Sequence, residues 1–163
     1  VMDGMMRKSM NAGISFGLTS GVITTLGLMI GLHAGTQSTP VVVGGIVTIA
    51  IADALSDALG IHISEEARNS NSVRGIWAAT VTTFLAKFLM ALSFLVPVLL
   101  FDLATAVLVS LAWGMGVICV LSYLIAREQG VATWKVVGEH LVIALLVVVL
   151  TYVVGRWVGS LFA

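Results

Sequence analysis

Two aspartates, Asp53 and Asp57, stand four residues apart in IADALSDALGIHIS, residues 51–64, a stretch otherwise apolar enough for a membrane helix. Residues at i and i+4 share one helix face, so both carboxylates can reach one cation. Ionisable groups inside a bilayer are costly and functional by default. Carboxylates this close repel, and a proton or a bound cation relieves the repulsion. The chemistry that fits is exchange of a proton for a divalent metal ion. Ser20 and Thr24, in an earlier apolar stretch, offer hydroxyl oxygens, hard ligands of the kind Mn2+ accepts.

Lys87 supports a competing use of the same charges. A buried Asp53–Lys87 ion pair would be architectural, each charge offsetting the other's desolvation, and Asp57 would keep no cationic partner. The remaining polar residues are expected in lesser roles. Glu65 and Glu66 end the aspartate helix as a cytoplasmic mouth or an ordinary solvated helix end, and His62 lies beside them as an interfacial residue. Glu139 and His140 open the last apolar stretch at the interface. Ser20 and Thr24, each taken alone, bond their own helix or a neighbour. Met2, Met5, Met6 and Met10 form a soft amphipathic lead-in rather than a thioether metal site. Cys119, the one cysteine, has no intrachain partner and belongs to no zinc pattern.

These groups need helices across a membrane to position them. Of 163 residues, 59% are hydrophobic and 10% charged, against about a quarter charged in soluble domains. The bilayer is the solvent this composition fits. The formal net charge is zero, which gives no cause to expect a nucleic-acid partner. Five apolar stretches, roughly 13–33, 41–63, 75–98, 103–126 and 137–161, are each near the ~20 residues a spanning helix needs. The expectation is one transmembrane domain over residues 1–163. HAGTQSTP, SEEARNSNSVR and REQGVATWK separate spans, and Pro97 with Asp102 marks a tight turn between the third and fourth. Arg7 and Lys8 precede a long Gly-rich run followed by four more spans, unlike a cleaved signal peptide. Arg7, Lys8, Arg68, Arg74, Arg127 and Lys135 all fall on one side, which places the N-terminus in the cytoplasm. Trp77, Trp134 and Trp157 lie near span ends as interface anchors.

Helix rise sets depths. With Ile63 at the cytoplasmic end, Asp57 lies about 9 Å in and Asp53 about 15 Å in. Lys87 is about 18 Å from Gly75, close to the level of Asp53, and Ser20 and Thr24 lie about 10 and 16 Å from Gly13. Gly44, Thr48, Ala52, Ser56 and Gly60 form a stripe of small residues where another helix can approach closely, with the aspartates on the adjoining stripe. Gly13, Gly17 and Gly21, then Gly27, Gly31 and Gly35, give the first span the same small-residue spacing.

FGLTSGVITTLGLMIGL followed by GGIVTIAIADALSDALGIHISEE resembles the first two spans of the vacuolar iron transporter family of iron and manganese carriers. TFLAKFLMALSFLVPVLL resembles that family's third span, and HLVIALLVVVLTYVVGRWVGSLF its last. The resemblance covers most of the chain and lies in the order and spacing of segments. It implies a homodimer of five-span subunits, an ion path at or near the dimer interface, and export of cytosolic Fe2+ or Mn2+ in exchange for protons. Three departures stand out. Ser20–Gly21 replaces the family's aspartate before glycine, Ser56–Asp57 replaces its Ser-Met, and the glutamate-rich insert after the second span is missing. The metal-facing carboxylate has thus moved from the first helix to the second. Asp53 and Lys87 have no family counterpart.

The reading is an all-α, multi-pass protein of a prokaryotic plasma membrane, a carrier rather than an enzyme, with the metal as substrate and no cofactor. Asp57 is the main ligand, Asp53 a second ligand or proton carrier, and Ser20 and Thr24 oxygen donors. Two alternatives stand beside it. One is a non-transporting protein with an Asp53–Asp57–Lys87 folding network. The other is a membrane-embedded metal-dependent phosphotransferase, whose signature pairs Asp-x-x-x-Asp with an Asp-x-x-Asp-Gly-x-x-Ala-Arg half that this chain lacks.

Overall fold

A computed structural model describes residues 2–68 and 72–162; within these, the side chains of Met2, Asp3 and Met5 are not described. The chain is all-α, with no strand among the described residues. Six helices follow in order: α1 (Met2–Thr36), α2 (Thr39–Arg68), α3 (Val73–Ser93), α4 (Leu95–Leu100), α5 (Leu103–Gln129) and α6 (Thr133–Phe162). Five segments are long and apolar enough to cross a membrane, with Val73–Leu100 counted as one. The five-span expectation is met; most span ends extend a few residues past the predicted apolar stretches, α5 begins at the predicted Leu103, and α1 begins well before its stretch, at Met2. Residues 69–71, in the linker expected between spans two and three, lie outside the described residues.

The helix ends follow from local chemistry. Gln37 takes the left-handed φ of 52° and donates its N–H to the His33 carbonyl, which closes α1. Pro40 sits in the first turn of α2, where a missing N–H costs nothing. Pro97 has no N–H for the carbonyl of Ser93, four residues back, so the third span breaks at Phe94 and resumes as α4. Gly130, at φ 67°, ends α5; its N–H reaches Arg127, and the Val131 N–H reaches Ala126, a Schellman closure.

Asp102 caps α5, its Oδ2 accepting from the Thr105 N–H at 3.0 Å. The Thr105 backbone and side-chain hydrogen bonds hold this carboxyl below its ordinary value. A lowered pKa means the cap stabilises the fold above the ordinary carboxylate range and loses that contribution as pH falls through the depressed value. Asp102→Ala is therefore expected to lower the melting temperature slightly at neutral pH. Melting curves of the two proteins should converge in strong acid, and a gap that widens there would contradict the cap.

The chain divides into two compact units. The first comprises residues 1–21 of the α1 region, residues 47–68 of α2, and α3. Here Gly13, Gly17 and Gly21 lie against α3. A methyl group on Gly17 would come 2.6 Å from the Thr83 carbonyl and 3.1 Å from the Lys87 nitrogen. With no side chain between them, the two backbones are nearly in contact.

The second unit holds residues 22–46 and 94–163. There α5 packs on α4 and α6. Its buried stripe repeats every four residues through Ala106, Ser110, Gly114, Ile118, Ser122 and Ala126. The second glycine series of α1 lies along α6: Gly31 faces Thr151, and Gly35 faces Gly155. Both series on the first span thus pack within one chain.

The small-residue stripe of α2 behaves otherwise. Gly44, Thr48, Ala52, Ser56 and Gly60 are all exposed, and nothing lies within 4 Å of a methyl group on Gly44 or Gly60. The packed stripe is Ala50, Ala54 and Ala58 in the first unit, with Val42 and Ile46 in the second. At about 100° per residue the two stripes fall on opposite sides of α2, with the aspartates between them. Both stripes repeat every four residues, so spacing alone does not select the buried one.

Candidate functional site

The candidate site lies within the first unit and is built from three helices. The glycine contact holds α1 against α3, which brings Ser20 within reach of the Lys87 side chain. The small alanines Ala54 and Ala58 are buried, and they seat α2 with Asp53 and Asp57 at the flank of its contact. Lys87 is among the largest fully buried side chains of the described residues, only 2% exposed, while the Asp53 and Asp57 side chains are 27% and 22% exposed.

Three oxygens surround the Lys87 ammonium. It donates to Asp57 Oδ2 in a short hydrogen bond and to Ser20 Oγ at 2.9 Å. Asp53 Oδ2 lies 2.6 Å from Nζ as an ion-pair contact without hydrogen-bond angles. Ser20 Oγ then donates its own proton to Asp57 Oδ2 at 2.7 Å. The hydroxyl thus accepts from the ammonium and donates to the carboxylate that the ammonium also meets directly. Two carboxylates and one ammonium, all ionised, would carry one net negative charge. In so dry a place, charges of opposite sign hold one another strongly, and either sign left alone is expensive.

The Lys87–Asp53 contact expected from depth is present. The expectation that it leaves Asp57 without a cationic partner is not met, because the flexible lysine stem reaches both carboxylates at once. Ser20 joins the cluster rather than bonding only along its own helix. Thr24, one turn further along α1, belongs to the second unit.

The residues expected at a cytoplasmic mouth separate. Glu66 is exposed. The Glu65 side chain is 15% exposed and lies 3.6 Å from Arg68 in an i,i+3 pair. His62 Nδ1 is 2.9 Å from Thr80 Oγ1, and its ring meets Trp77 edge-on at 4.8 Å. That binds α2 to α3 about one turn beyond Asp57 toward the Arg68 end of α2. Glu139 is exposed.

His140 Nδ1 lies 2.7 Å from Ser122 Oγ, a pairing of α5 with α6 that sequence reasoning missed. The signal was available: Ser122 and His140 stand nearly equidistant from the Gly130 turn, so antiparallel neighbours bring them level. No group of three or more His, Cys, Asp or Glu side chains among the described residues is placed to hold a metal ion. Any ion seated here would take two carboxylates, a hydroxyl and water.

The fold and the cluster define a class: an all-α polytopic membrane protein with a buried lysine held between two partly exposed aspartates. No protein-family model, curated protein or solved structure matches the chain.

Proposed function

We propose that the chain is a secondary carrier exchanging protons for a divalent cation, Mn2+ or Fe2+, at Asp53, Asp57 and Ser20. The observation that carries the proposal is a cation, the Lys87 ammonium, already seated among oxygens from α1 and α2 deep in a membrane-spanning bundle. Oxygen donors favour a hard divalent ion. The metal comes from the resemblance of the spans to iron and manganese carriers. Export from the cytosol, with the N-terminus on the cytoplasmic side of a prokaryotic plasma membrane, follows from that resemblance and from the placement of Lys and Arg.

A homodimer is part of the same proposal. Asp53 and Asp57 are partly exposed beside an open stripe of small residues, and carboxylates facing lipid are costly. A second copy laid on Gly44, Ala52 and Gly60 would cover them.

One observation favours a second reading, the folding network: Lys87 is engaged by Asp53, Asp57 and Ser20 together. Melting in detergent separates the two. A ligand at about 100 times its Kd adds about 2.7 kcal/mol to the native state. A carrier is therefore expected to melt several degrees higher in Mn2+ or anaerobic Fe2+ than in Mg2+, and Asp57→Asn should abolish the rise. Proteoliposomes loaded with a metal-sensitive dye should then report proton-driven metal movement. No rise with either metal in the wild-type protein would leave the folding network as the better account.

A further inference from the structure

We infer that Lys87 is an internal competitor for the carrier's substrate: in the empty protein its ammonium holds the seat of the metal ion, which binds only when the lysine side chain swings out. The inference rests on the reading of Asp53 and Asp57 as substrate ligands and extends it to what occupies the site between substrates.

Three features carry it. Lys87 uses the same oxygen, Oδ2, of each carboxylate. A metal ion bridging those atoms would stand against the ammonium, like charge against like charge in a dry site, so the two cannot share it. The backbone at Lys87 is pinned: a methyl group on Gly21 would fall 3.2 Å from the Lys87 carbonyl, and one on Gly17 falls 3.1 Å from its nitrogen. The helix therefore stays and the side chain, with four rotatable bonds, is what moves. Exposure is also unequal. The carboxylates are 27% and 22% exposed and the lysine 2%, so an ion approaches from the carboxylate edge with Lys87 behind.

An occupied seat weakens apparent affinity in proportion to the fraction of time it is open. A seat open about one tenth of the time binds about tenfold more weakly than its intrinsic value. Mn2+ titrations of purified wild-type, Lys87→Met and Lys87→Arg proteins in detergent test this by their dissociation constants. Lys87→Met removes the competitor and should bind Mn2+ about tenfold more tightly than wild type. Lys87→Arg keeps a permanent cation whose planar fork suits carboxylates, and should bind more weakly. Binding by Lys87→Met equal to or weaker than wild type overturns the inference. Should that variant fail to fold, Lys87→Arg decides: a folded protein binding Mn2+ as tightly as wild type overturns it. Loss of Mn2+ binding in all three folded proteins, wild type included, would overturn the ligand reading itself, a different failure from loss of the competition.

Discussion

Converting both Asp53 and Asp57 to asparagine is expected to destabilise the fold by about 3–5 kcal/mol, the range for stranding one member of a buried ion pair. The cause is Lys87, which is 2% exposed and would keep a hydroxyl and two neutral amides beside it but no carboxylate to balance its charge. Each single change should cost clearly less, because the ammonium keeps the other carboxylate. The two single costs should therefore sum to less than the double cost, which identifies a shared partner. Adding Lys87→Met to the double variant removes the stranded charge and should restore much of the loss, since apolar replacement of a whole buried ionic group is often neutral. Equilibrium unfolding of the wild type and the four variants in one detergent measures all these terms. Additive single effects would mean that Lys87 serves one aspartate only. Failure of Lys87→Met to rescue would mean that the aspartates support the fold in some way other than holding this lysine.

Much of the architecture is legible because a bilayer imposes few and strong constraints. Five continuous apolar runs of about 20 residues read as helices, since a closed barrel, the other way to satisfy the backbone in lipid, needs short alternating strands. Pro97 and Gly130 interrupt or close helices through ordinary backbone chemistry. Which face of a helix turns inward is harder to read. In water, polarity marks the outer face; in lipid, both faces are apolar. The Ala50, Ala54, Ala58 stripe and the Gly44, Ala52, Gly60 stripe look equally fit for packing, and only the first is buried.

The cluster was legible in its members and not in its connections. Depth by helix rise puts Asp53 and Lys87 on one level and keeps Ser20 within range. It does not show that a lysine four carbons long reaches a carboxylate one turn away as easily as the level one. Nor does it show that Ser20 links the two, because a hydroxyl in a membrane helix bonds its own backbone just as readily, as Thr83 does with the Ala79 carbonyl at 2.8 Å. Thr24 also offers a hydroxyl, yet it stands one turn, about 6 Å, further along α1 and falls in the second unit.

Gly17→Ala and Gly60→Ala, the same chemical change on neighbouring helices, are expected to have opposite effects. In a helix interior alanine is favoured over glycine by about 1 kcal/mol, and at Gly60 nothing stands within 4 Å of the new methyl group. Gly60→Ala should leave the isolated chain unchanged or slightly more stable. At Gly17 the methyl group would sit 2.6 Å from the Thr83 carbonyl and 3.0 Å from the Ala86 Cβ. The first is backbone, which cannot turn aside, so α1 and α3 must part. Overpacking of this kind costs about 1–3 kcal/mol, enough to outweigh the gain in helix propensity, and Gly17→Leu should cost more again. The separation also draws Ser20 away from Lys87, so the Gly17 variants should lose part of any metal-induced stabilisation as well as basal stability. Melting curves with and without Mn2+ read both effects. A Gly17→Ala protein as stable as wild type would refute the close α1–α3 contact. A clear loss at Gly60→Ala, accompanied by a fall in molecular mass in detergent, would be the mark of the second copy proposed on the open face of α2, with the dimer rather than the isolated chain disturbed.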